Sequence, residues 1–215
     1  MKLKVCGLTK MDQIQELVSL NTDFLGFIFY EKSPRFVLNQ LSLEEISEIN
    51  HQGKVGVFVN ETIERIAEIS EKAKLNFIQL HGDEDEEFVK KLRLSLSKNI
   101  KIIKVIRIGN DFEKFKNEIS KISNLKSQIS NLLFDTDSKA FGGTGKTFDW
   151  QILNEIEIPI PYFLSGGISL ENIHQLSTIN HQPLALDINS KFETEPGSKD
   201  LEKIKNFTQI VKKIY

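Results

Sequence analysis

The chain has 215 residues, of which 40% are hydrophobic, and a formal net charge of −2. This length allows one large domain or two small ones, and the near-neutral charge excludes a strong positive field that would attract nucleic acid or a membrane surface. The single cysteine, Cys6, excludes an internal disulfide and a cysteine-based zinc cluster. No apolar run is long enough for a membrane span, so we expect neither nucleic-acid nor membrane partners.

The start of the chain carries no export pattern. The segment MKLKVCGLTK has only a short apolar stretch and lacks the cleavage site of a signal peptide. The prolines are scattered singly, and no Gly/Ser-rich linker divides the sequence. We therefore predict a single domain over residues 1–215 in a reducing, cytoplasmic environment.

Eight short runs rich in apolar and β-branched residues predict eight strands. In chain order they are LKVCGL from residue 3, FLGFIF from 24, KVGVFV from 54, FIQLHG from 77, KIIKVIR from 101, NLLFDT from 131, PYFLSGG from 161 and ALDINS from 185.

Amphipathic helical patterns lie between these strands, for example ETIERIAEISEKAK from 61 and LEKIKNFTQIVKKI from 201. Ser42 and Glu45 have the spacing of a capping box, and SLENIHQL from 169 is expected to form a helix after the seventh strand. The alternation predicts an α/β fold, a (β/α)₈ TIM barrel. An open doubly wound sheet is the alternative, but it would usually have fewer strands and a glycine fingerprint after the first.

Four predicted strands carry polar residues of one parity near their carboxyl ends. Because side chains alternate between the two faces of a strand, we expect these residues to meet at the C-terminal mouth of the barrel, where active sites of this fold lie. Each also has a purely structural explanation. The cysteine could be a small buried hydrophobe, an aspartate could cap a loop or pair with a lysine, and the histidine could be structural. The residues are Lys4, Cys6, Gln79, His81, Asp135, Asp187 and Asn189.

Two glycine-rich segments raise the question of phosphate binding. Gly166 and Gly167 follow the seventh strand, where backbone N–H groups of such barrels commonly bind a phosphate, so a sugar phosphate is the expected substrate class; a plain turn is the alternative. The segment GGTGKT at 142–147 looks like the end of a P-loop, but Ala140 occupies the position of its first glycine. A P-loop is therefore not expected.

Segments spread over almost the whole chain resemble the phosphoribosylanthranilate isomerase family of tryptophan biosynthesis. They are KVCGLT, GFIFYEKSPRFV, VGVFVN, QLHGDE, FDTDSKAFGGTGKTFDW, LSGGISLENI and DINSKFETEPGSKD. The resemblance implies an Amadori rearrangement of N-(5-phosphoribosyl)anthranilate, with no cofactor and no metal. Another phosphosugar isomerase or epimerase barrel and a non-catalytic phosphate-binding barrel remain the alternatives.

The resemblance also implies roles for individual residues. It makes Cys6 the general base, Asp135 the general acid and Arg35 a substrate contact, with His81 and Asp187 as further candidates to contact substrate. It implies a phosphate site on backbone N–H groups around Gly166, Gly167, Asn189 and Ser190. The family pattern has glycine where Lys191 stands, and Asp137 is a second carboxylate close to the proposed acid. The partner is a small-molecule substrate, and the chain is expected to be a monomer or a homodimer.

These roles set a requirement on two pKa values. The base must be a thiolate and the acid must hold its proton, so we expect the site to lower the pKa of Cys6 and raise that of its carboxyl partner. Lys4 shares the predicted face of Cys6 and is the candidate to favour the thiolate.

Overall fold

The computed structural model describes residues 1–137 and 147–214 of the chain, and its core is a closed barrel of parallel strands. Each strand pairs with the next, and the last pairs with the first, so the prediction of a (β/α)₈ barrel is confirmed. The strands are β1 (Lys2–Val5), β2 (Phe24–Ile28), β3 (Lys54–Phe58), β4 (Phe77–Leu80), β5 (Lys101–Ile108), β6 (Asn131–Thr136), β7 (Tyr162–Leu164) and β8 (Ala185–Ile188).

Helices surround the barrel, and a small hairpin follows β8. The α-helices are α1 (Met11–Ser19), α2 (Leu43–Glu48), α3 (Ile63–Lys72), α4 (Glu86–Ser95), α5 (Phe112–Ile122) and α6 (Leu201–Ile214). The antiparallel hairpin consists of β9 (Glu193–Glu195) and β10 (Ser198–Lys199). Among the described residues, no helix is both long and apolar enough to cross a membrane.

Helix starts follow the sequence signals closely. The capping box of α2 is formed, with Glu45 N donating to Ser42 Oγ at 3.1 Å and Ser42 N donating to Glu45 Oε2 at 2.8 Å. Thr62 and Asp85 cap α3 and α4 in the same way, because each side-chain oxygen accepts from an otherwise unpaired N–H of the first turn.

The helix expected from SLENIHQL is wrong in type and in its start. The structure has only a 3₁₀ helix at Ile173–Thr178, and a turn at residues 170–172 precedes it. Asn172 explains the difference, since its Oδ1 accepts from Ser169 N at 2.8 Å and its Nδ2 donates to Gly167 O at 3.0 Å. A side chain that bonds nearby backbone groups competes with helix formation. The glycine pair is therefore followed by a turn and not by an α-helix N-terminus.

Side chains point alternately outward and inward along the strands, and they form two separate apolar cores. Those facing outward pack against the helices, as Leu3, Val5 and Leu186 do. Those facing inward form an apolar layer, in which the Phe24 ring lies 5.3 Å from that of Phe77 and 5.0 Å from that of Phe163. The apolar layer consists of Phe24, Val55, Phe77, Ile103, Val105, Leu133, Phe163 and Ala185.

Closer to the carboxyl ends of four strands, the inward-facing residues are polar. Gln79 follows Phe77 and Asp135 follows Leu133 at the period of two that places side chains on one face. We call this set the polar layer, and its members are Lys4, Cys6, Gln79, His81, Asp135 and Asp187. All six are buried.

Candidate active site

Cys6 lies directly after β1, with 5% of its surface exposed. Gly26 on the neighbouring strand β2 makes room for it, because a Cβ at Gly26 would lie 2.9 Å from both Cys6 Sγ and Cys6 Cα. Any side chain at that position would displace the thiol. The local sequence thus holds the only cysteine at the mouth of the barrel.

Lys4 and Asp187 form a buried ion pair between β1 and β8. Lys4 Nζ donates to both carboxylate oxygens of Asp187 at 2.9 Å, and the exposed fractions of the two side chains are 0% and 6%. The lysine pairing that the sequence left open for Asp187 is therefore present. The burial of both charges is compensated within the pair, as burial of ionised groups requires.

The pKa of Cys6 moves in the direction opposite to the expectation. Burial raises the pKa of the Cys6 thiol, and although the ammonium groups of Lys4 and Lys199 oppose this, the net shift is upward. The expected lowering is wrong because the thiol is buried, which disfavours the charged form, and because the negative charge of Asp187 adds to this effect.

Asp135 is the penultimate residue of β6 and faces His81, which follows β4. Asp135 Oδ2 lies 3.2 Å from His81 Nε2, and Asp135 Oδ1 accepts from Thr136 N at 2.8 Å. On its other side the imidazole Nδ1 lies 2.9 Å from Gln79 Nε2. With the amide nitrogen as donor, the neutral ring carries its proton on Nε2, the atom that faces the carboxyl group.

The ionisable groups of the polar layer act on one another. Burial raises the pKa of Asp187, and the charge of Lys4 opposes this rise. The charge of Asp135 raises the same pKa further, whereas the charge of His81 lowers it. Asp187 is thus close to both Asp135 and His81, and Lys4 links it to Cys6. Six of the seven polar residues predicted on the four strands therefore meet in one buried cluster. The seventh, Asn189, is half-buried and instead accepts from Lys199 Nζ at 2.8 Å.

Asp137 lies outside this cluster. It is exposed, and its N–H donates to Ile108 O at 2.8 Å. A Cβ at Gly109 would lie 3.1 Å from Asp137 Oδ2, so this carboxylate faces the loop after β5. Of the two neighbouring carboxylates, only Asp135 belongs to the polar layer.

Arg35 is buried in the segment after β2, and its partners were not found from the sequence. Its Nη2 donates to Glu193 Oε2 at 2.6 Å, and Glu193 Oε1 also accepts from Lys199 Nζ at 2.6 Å. Glu193 and Lys199 lie on the two strands of the hairpin β9–β10. The dipeptide Pro196–Gly197 between ETE and SK was the sequence signal that could have revealed the hairpin.

The loops after β7 and β8 have the backbone geometry of an anion site. Gly166 and Gly167 have φ values of +86° and +68°, and a Cβ at Gly166 would overlap Thr136 Oγ1. The N–H groups of Gly166, Gly167, Asn189 and Ser190 donate to no other residue that the structure describes. Lys191 is exposed beside them, and its charge acts on Glu171 in the β7 loop. The segment GGTGKT falls largely on residues 138–146, outside the described ranges.

Residues 3–210 match the model of the family described as N-(5'phosphoribosyl)anthranilate (PRA) isomerase. The chain belongs to this family. The N-(5'-phosphoribosyl)anthranilate isomerase of Parabacteroides distasonis is 39% identical to the chain over 214 residues, which cover 97% of the chain and 92% of that protein. These matches identify an isomerase of tryptophan biosynthesis and leave no basis for a non-catalytic binding barrel.

Solved structures of PRA isomerases share the whole barrel. Phosphoribosyl anthranilate isomerase from Thermotoga maritima superposes with a TM-score of 0.79 at 33% identity, over 97% of each chain. A structure of phosphoribosyl anthranilate isomerase in complex with reduced 1-(o-carboxyphenylamino)-1-deoxyribulose 5-phosphate superposes with a TM-score of 0.75 at 29% identity, over 95% of each chain. The chain thus shares its fold with these isomerases over nearly its whole length.

Proposed function

We propose that Cys6 is the general base and Asp135 the general acid in an Amadori rearrangement of N-(5-phosphoribosyl)anthranilate. The observation that carries the proposal is the polar layer itself. It holds one thiol and one histidine-paired carboxyl group at the carboxyl ends of two different strands, in a buried and electrostatically coupled cluster. A ligand in this mouth would have an acid on one side and a base on another.

The two groups divide the proton transfers between them. Asp135 gives its proton to the ring oxygen of the furanose, the C1′–O bond breaks, and the nitrogen lone pair forms the C1′=N bond of a Schiff base. Cys6 as thiolate then takes the proton from C2′; the electron pair of that C–H bond forms the C1′=C2′ bond of an enolamine, and the C1′=N pair returns to nitrogen. Burial holds the pKa of the thiol above its usual value, and the ammonium groups of Lys4 and Lys199 are what favours the thiolate in this step. Tautomerisation of the enolamine gives the aminoketose.

The surroundings of Asp135 support its part in the first step. When the carboxyl group has lost its proton, its negative charge lies 3.2 Å from His81 Nε2, which carries the ring proton when Gln79 donates to Nδ1. His81 and Thr136 N therefore hold the carboxyl group of Asp135 in one orientation at the reacting end of β6. Asp187 and His81 are proposed to contact the sugar part of the substrate, where they border the reacting carbons.

The anionic groups of the substrate have two proposed sites. The N–H groups of Gly166, Gly167, Asn189 and Ser190 would bind the phosphate, because none of them donates to another described residue. Arg35 would contact the aromatic carboxylate, since a guanidinium binds carboxylates well. We further propose that residues 1–215 form a single cytoplasmic domain, acting on this small molecule as a monomer or a homodimer without nucleic-acid partners.

A pair of isosteric substitutions tests the acid. Freshly generated phosphoribosylanthranilate is supplied, and the loss of anthranilate fluorescence is followed for Asp135→Asn and Asp137→Asn. Asp135→Asn should lower kcat by about 10² to 10⁴ because the amide has no acidic proton to give. Asp137→Asn is the matched control and should change kcat by less than about 3-fold. A larger loss in Asp137→Asn than in Asp135→Asn would refute the assignment.

A further inference from the structure

A buried carboxylate fixes the side chain of Arg35. Glu193 accepts from Arg35 Nε at 3.0 Å (Oε1) and 2.9 Å (Oε2) and from Nη2 at 2.6 Å (Oε2). The exposed fraction is 9% for Arg35 and 3% for the Glu193 side chain. The pairing takes up one edge of the planar guanidinium, while Nη1 donates to no other residue in the described parts of the chain. Arg35 thus keeps a donor for a ligand in a fixed position.

Lys199 extends this network to the loop after β8. Its Nζ donates to Glu193 Oε1 at 2.6 Å and to Asn189 Oδ1 at 2.8 Å, and its side chain is fully buried. Burial alone would raise the pKa of Glu193, but the hydrogen bonds and charges of Arg35 and Lys199 outweigh it and hold that pKa below its usual value. Glu193 is therefore ionised and joins two cations from different loops.

The hairpin that carries Glu193 and Lys199 is fastened to the first βα unit. Gln13 on α1 donates from Nε2 to Lys199 O at 2.9 Å and accepts from Lys199 N at 2.8 Å. Thr9 Oγ1 donates to Gly197 O at 2.8 Å. These bonds hold the hairpin in register with the segment that begins at Cys6.

The network reaches the residue next to the proposed base. A Cβ at Gly7 would lie 2.7 Å from Arg35 Cδ and 2.8 Å from Asn189 Oδ1, so both side chains pack over the Gly7 backbone. Gly7 has a φ of +75° and follows Cys6 directly. Lys199 is close enough that its charge favours the thiolate of Cys6.

We propose that Glu193 and Lys199 are positioning residues, which fix Arg35 and Asn189 in the orientation that binds the anionic groups of the substrate. The inference rests on the proposed function, because it takes Arg35 and Asn189 as substrate contacts. A long side chain that is already fixed loses little conformational freedom when the ligand arrives. One that is free to rotate has to be ordered, which weakens binding by about 2- to 12-fold per side chain.

A double-mutant cycle tests Glu193. Reduced 1-(2-carboxyphenylamino)-1-deoxyribulose 5-phosphate is titrated into the parent chain, Glu193→Gln, Arg35→Met and the double variant, and the unfolding free energy of each is measured alongside. We expect Glu193→Gln to weaken binding about 10-fold in the parent and less than about 2-fold in the Arg35→Met background, because coupled residues are not additive. Glu193→Asp retains the charge on a shorter side chain, and we expect an intermediate affinity.

Three outcomes would overturn the inference. Equal losses from Glu193→Gln in both backgrounds would mean that Glu193 does not act through Arg35. Unchanged affinity in Arg35→Met would refute the substrate contact of the proposed function, and the inference with it. If Glu193→Gln fails to fold, Glu193→Asp takes its place in the cycle, and unaltered affinity in that variant would be contrary evidence.

Lys199 has a readout of its own, because Cys6 is the only thiol of the chain. The ultraviolet absorbance of the thiolate is followed against pH in the folded parent, Lys199→Met and Lys199→Arg. Loss of the ammonium should move the Cys6 titration to higher pH, while Lys199→Arg should keep it near that of the parent. Lys199→Met should also bind the reduced product about 2- to 12-fold more weakly, because Asn189 Oδ1 loses the donor that holds it. Unaltered affinity in Lys199→Met would overturn the positioning role of Lys199.

Discussion

Strands β4, β6 and β8 contribute successive inward residues to both the apolar and the polar layer of the barrel interior, yet the two layers affect stability in opposite directions. Phe77 and Leu133 in the apolar layer bury carbon surface, and each such side chain stabilises the fold by about 1.5–3 kcal/mol. Two residues further on, Gln79 and Asp135 bury polar groups, which cost free energy unless they are paired.

The pairing in the polar layer is incomplete. Gln79 Oε1 is buried without a hydrogen-bond partner among the described residues, His81 Nε2 faces only Asp135 Oδ2 at 3.2 Å, and burial raises the pKa of both Cys6 and Asp187. A structure selected for stability alone would not hold these groups there. The apolar layer therefore stabilises the fold, and this stabilisation offsets the cost of burying the polar layer. Substitutions in the apolar layer should mainly lower the free energy of unfolding, and substitutions in the polar layer should mainly lower kcat.

The largest effect is expected for Cys6→Ala. Removing the base should lower kcat by about 10² to 10⁴, whereas the free energy of unfolding should change little, because the substitution removes one buried sulfur atom whose surroundings are partly polar. Turnover with phosphoribosylanthranilate and denaturant unfolding are measured on the same preparation. A folded Cys6→Ala chain with near-normal turnover would exclude Cys6 as the base.

Phe163→Ala is the counterpart in the apolar layer. Phe163 is fully buried against Phe24, and truncating a buried Phe to Ala typically costs about 3–5 kcal/mol. The guanidinium midpoint should fall accordingly. At a temperature where the variant is still folded, kcat should stay within about 3-fold of the parent. If kcat fell as far as in Cys6→Ala, the separation of the two layers would be wrong.

The third effect is the pH dependence of Cys6 itself. The raised pKa means that the folded chain holds the thiol proton more tightly than the unfolded chain does. The stability that this contributes is complete below the unfolded pKa of about 8.5 and is lost as pH rises through the folded value. The unfolding free energy of the parent should therefore fall between these pH values relative to that of Cys6→Ala, while a constant difference would contradict the raised pKa.

The sequence was sufficient for the polar layer but not for the network around Arg35. Strand parity grouped Cys6, Asp135 and Asp187 because a period of two is a local property that survives folding. Glu193 was missed because it meets Arg35 across 158 residues, through a hairpin outside the barrel. No local pattern encodes such a contact. The helix expected after Gly167 failed for a local reason, since Asn172 competes for the backbone groups that a helix would use.

The smallest effect is expected for Ser42→Ala. This substitution tests whether a residue at the same end of the barrel, but outside the polar layer, affects catalysis. Ser42 begins the helix that follows β2, so it belongs to the same end of the barrel as Arg35, but it is exposed and bonds only within the capping box. Its loss leaves Glu45 N without its acceptor, which typically costs about 1 kcal/mol. The unfolding free energy should fall by this amount, while kcat and KM should both stay within about 2-fold of the parent. A larger change in KM would mean that loop order at this end of the barrel, and not the buried polar layer alone, controls substrate binding.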